Sequence, residues 1–70
     1  MTAQEKAFSI YEFVRYDVSL LDGSEALINA VAKQAALYVA ENARIEMVKL
    51  QNHEKAVYWL DVKREIKGII

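Results

Sequence analysis

Residues 24–50 read SEALINAVAKQAALYVAENARIEMVKL, from Ser24 to Leu50 without a proline or a glycine. Six alanines lie between Ala26 and Ala40. The run predicts one helix over about residues 24–50. A helix of ~27 residues spans ~40 Å at 1.5 Å per residue, roughly a domain diameter. Leu27, Val31, Tyr38, Ile45 and Val48 fall on or near one face, with Ile28, Ala35 and Asn42 alongside. Leu37, Ala40, Arg44 and Met47 occupy a different side. The alanines keep the helix thin, which allows a neighbouring helix to approach closely.

Working outward, Asp22-Gly23-Ser24 is a break. Gly23 can take the positive φ that other residues avoid, and Asp22 or Ser24 can cap the following helix. Before it, Thr2-Ala3-Gln4-Glu5 has capping-box spacing, so a first helix is expected over about residues 3–20. Ala7, Ile10, Val14, Val18 and Leu21 form one apolar stripe on it. Phe13, Tyr16 and Leu20 form a second, an arc wide enough for more than one neighbour. After the run, Gln51-Asn52 is a second break. It predicts a third helix over about 53–67, with Asn52 as its N-cap and Gly68 as its C-terminal cap. Ala56, Val57, Trp59, Leu60, Val62 and Ile66 are its apolar residues. This break has no glycine or proline, so two alternatives compete. One is a continuous helix through 50–53, giving an extended coiled coil. The other is a β-hairpin of Ile45–Leu50 and Ala56–Lys63.

Acid-then-base pairs three apart support helices throughout: Glu12/Arg15, Glu41/Arg44, Glu46/Lys49 and Asp61/Arg64. The expected fold class is therefore all-α: one three-helix domain over 1–70 with a long central helix, packing as a homodimeric helical bundle. Size argues for the dimer. A 70-residue chain buries only ~60% of its unfolded surface. Cysteine is absent, so no disulfide can help. Yet 54% of the residues are hydrophobic. Self-association is the expected remedy, with Leu27, Val31, Ala35 and Tyr38 as its candidate residues.

Composition narrows function by exclusion. The net charge is −1 and neither half has a strong excess of either sign, unlike a nucleic-acid or anionic-membrane binder. No segment has the ~20 apolar residues that span a bilayer, and the start lacks a secretory-signal pattern. The expected location is cytoplasmic.

His53-Glu54 lacks the second histidine of a zinc-protease helix. Asp17, Asp22 and Glu25 lack the spacing of a calcium loop. Gly23 and Gly68 cannot build a phosphate loop. No catalytic, metal or cofactor residue is therefore assigned. Phe13 and Trp59 are expected in the core. Tyr11 and Tyr58, each flanking the core stripe, are the candidate anchors for a protein partner. The expected function is a small non-enzymatic protein–protein interaction module, of the accessory, regulatory or inhibitory kind common in bacteria and their phages. The alternative is a nucleic-acid-associated regulator using the second and third helices, with Lys49, Lys55, Lys63, Arg64 and Lys67 as a basic flank. Acids at Glu54, Asp61 and Glu65 interrupt that flank.

Overall fold

The computed structural model describes residues 1–20 and 23–69. The expected stripe member Leu21 and the cap candidate Asp22 lie outside the described residues. The chain forms three helices: α1 (Ala3–Ser19), α2 (Glu25–Lys49) and α3 (His53–Lys67). Each packs on the other two.

Local chemistry sets the boundaries. The capping box of α1 forms as its spacing predicts. The Glu5 amide donates to the Thr2 hydroxyl, and the Thr2 amide donates to the Glu5 carboxylate, both at 3.1 Å. Those contacts hold the Glu5 carboxyl below its ordinary range. At α2, Ser24 is the cap, its hydroxyl accepting from the Leu27 amide at 3.2 Å. At α3, the Asn52 side chain accepts from the Lys55 amide at 3.1 Å.

The break after α2 is a Schellman turn. The Asn52 amide reaches back to the Met47 carbonyl and the Gln51 amide to that of Val48, the paired closure that satisfies a helix C-terminus. It requires a left-handed residue at Gln51, whose φ is 57°. Residues 45–63 are thus two helix ends around a tight turn, neither a hairpin nor one continuous helix. The positive φ expected at Gly23 is not there; among the described residues only Gln51 has one.

The helices run up, down and up. Arg15 of α1 meets Asn29 and Glu25 near one end of α2. Lys63 of α3 meets Glu41 in its C-terminal half. Between them lies a core of small side chains. Ala7, Ala32, Ala36, Ala40, Val62 and Ile66 are wholly buried, with Tyr11 at 8% exposure. Three of the six wholly buried residues are α2 alanines one turn apart, with Leu37 packed beside them.

Two expectations about aromatic residues are corrected. Tyr11 is a core residue rather than an exposed partner anchor. It stands one turn after Ala7, on the stripe that faces α2 and α3. Phe13, expected inside, is 74% exposed. It stands two residues on from Tyr11, which turns it ~200° round the helix and away from the core. Trp59 is half-buried against the core.

Candidate interaction surface

Where the large apolar side chains go decides what this surface is. Eight hydrophobic residues are buried and five of them are alanine. Fourteen large apolar residues stand exposed among the described residues, so most of the chain's hydrophobic bulk is outside its own core. The molecule measures 41 × 19 × 16 Å with a radius of gyration of 12.7 Å, against about 11 Å for a compact 70-residue domain. Its accessible surface is 5036 Å², against about 4,450 Å² expected for a monomer of this mass.

The most ordered part of that surface is the outer side of α2. Ala32, Ala36 and Ala40 face inward. Leu27, Val31, Tyr38, Ile45 and Val48 all stand exposed, with Tyr38 at 70%. Tyr38 follows Ala36 by two residues, so it points ~200° away from the alanine row. The helix is therefore apolar on two opposite sides: methyl groups inside, large side chains outside. The outer row steps 27, 31, 34, 38, 41, 45, 48, alternating four and three residues, which is the spacing of a coiled-coil seam. Gln34 and Glu41 are its polar members. The row runs ~32 Å at 1.5 Å per residue.

Of the candidate self-association residues, Leu27, Val31 and Tyr38 lie on this row and Ala35 is half-buried beside it. Ile45 and Val48 extend the row; their three–four spacing from Tyr38 was the available signal. On α1, Phe13, Tyr16 and Leu20 form a second exposed group, turned away from the core.

Tyr58, the other candidate anchor, is half-buried. Its hydroxyl points to the Met1 carbonyl at 3.5 Å, and its ring meets Trp59 edge-on with centroids 5.7 Å apart. Lys6 lies 5.9 Å from the Trp59 ring centre. Lys6, Tyr58 and Trp59, with Asn52, Glu54 and Lys55, line a shallow cleft of about 570 Å³. Its principal aromatic face already holds the chain's own cation.

Half of the charged side chains among the described residues pair with one another. Glu41 accepts from Arg44 Nε at 3.2 Å and also pairs with Lys63, tying α2 to α3. Those hydrogen bonds, Arg44 first and Lys63 second, lower the Glu41 carboxyl from 4.5 to about 2. Asp61 pairs with Arg64 and Glu46 with Lys49, each at 3.6 Å. Glu12/Arg15 does not form as spacing suggests. Arg15 turns instead to Asn29 at 2.6 Å and Glu25 at 3.4 Å, joining α1 to α2. His53 is exposed at the start of α3. Among the described residues no three His, Cys, Asp or Glu side chains converge as metal ligands, and no helix is long and apolar enough to cross a membrane. No family of known proteins, no curated protein and no solved structure matches this chain.

Proposed function

We propose that this chain is a small helical protein–protein interaction module that works by binding, as a homodimeric accessory or regulatory protein, and that α2 is its self-association face. One observation carries the reading. The outer side of α2 presents Leu27, Val31, Tyr38, Ile45 and Val48 as an exposed apolar row interrupted by Gln34 and Glu41, while its wholly buried residues are all alanine. A folded chain rarely leaves so extended an apolar strip in water. The thin core adds to the argument, because each buried methyl contributes only ~0.8 kcal/mol.

Sedimentation equilibrium over a wide concentration range tests this, with Val31→Asp and Ala35→Asp beside the parent. The expected result is a dimer for the parent, and dissociation or unfolding for both variants. Two folded variants that keep the parent's mass would overturn the assignment of this face. The nucleic-acid alternative has less support, because Lys63 and Arg64 are already paired with Glu41 and Asp61. Binding to a DNA duplex at low salt would revive it.

A further inference from the structure

We draw no further inference here: the strongest candidate, the exposed apolar row on the outer side of α2 from Leu27 to Val48, belongs to the face already described, and nothing in the structure shows what covers it or in which direction.

Discussion

At the scale of single residues, size decides placement in this protein as much as polarity does. Ala36 is wholly buried while Tyr38, two positions on, is 70% exposed. A larger side chain at Ala36 would force α2 away from α1 and α3. Ala36→Leu is expected to cost about 1–3 kcal/mol by overpacking, read as a fall in the urea midpoint. Tyr11 is the opposite case, the largest side chain in the core. Tyr11→Ala is expected to cost about 3 kcal/mol or more, as aromatic truncations in cores do, whereas Phe13→Ser should leave the fold of the chain near its parent stability. Equal effects of Tyr11→Ala and Phe13→Ser would contradict the burial assigned here. The sequence separated these two aromatics the wrong way round, with Phe13 expected inside and Tyr11 outside. Phe13 lies in the second apolar stripe of α1 and Tyr11 beside the first, and an arc that wide does not declare which edge turns inward until the neighbours' positions are known.

At the scale of elements, the helices and their caps were legible because each boundary is a local event. Thr2 with Glu5, Ser24 and Asn52 all cap where their spacing says they should. The turn between α2 and α3 was the least legible, because its left-handed position is filled by Gln51 and not by glycine. An ordinary residue in that region costs about 1–2 kcal/mol, so Gln51→Gly is expected to raise stability by about 1 kcal/mol, measured by chemical denaturation. A loss of stability would mean the Gln51 side chain makes a contribution that outweighs its backbone strain.

The α2–α3 pairing is further fixed by Glu41, whose carboxyl is lowered from 4.5 to about 2 by Arg44 and Lys63. A carboxylate with a depressed folded-state pKa stabilises the fold above its unfolded value, and that contribution is lost as pH falls through the folded one. The Glu41 contribution should therefore be complete above pH 4.5 and disappear towards pH 2. Glu41→Gln should flatten that limb of a plot of urea midpoint against pH. Superimposable limbs for parent and variant would show that the pairing adds nothing to folding.

At the scale of the whole molecule, a thin core beneath a large apolar exterior is what motivates the proposal that folding is coupled to association. Composition signalled the surplus, and the spacing of Leu27, Val31, Ala35 and Tyr38 marked the side of α2 expected to carry it; three of those four stand exposed. Both sides of that helix are apolar, and the full burial of Ala32, Ala36 and Ala40 shows that the small side faces in. If two chains fold and pair in one step, mass action makes thermal stability depend on concentration. For 140 residues unfolding together, with about 0.7 kcal/mol of enthalpy per residue near 60 °C, the Tm should rise by about 5 °C per tenfold increase in protein. Calorimetry or circular dichroism over a hundred-fold concentration range reads this directly. Val31→Asp places a charge in the outer row without touching the alanine side, so it should abolish the concentration dependence together with the dimer. A parent Tm that stays constant with concentration, at a mass of one chain, would mean that Leu27, Val31, Tyr38, Ile45 and Val48 stay uncovered by a second copy, and the row would then have to serve a different protein.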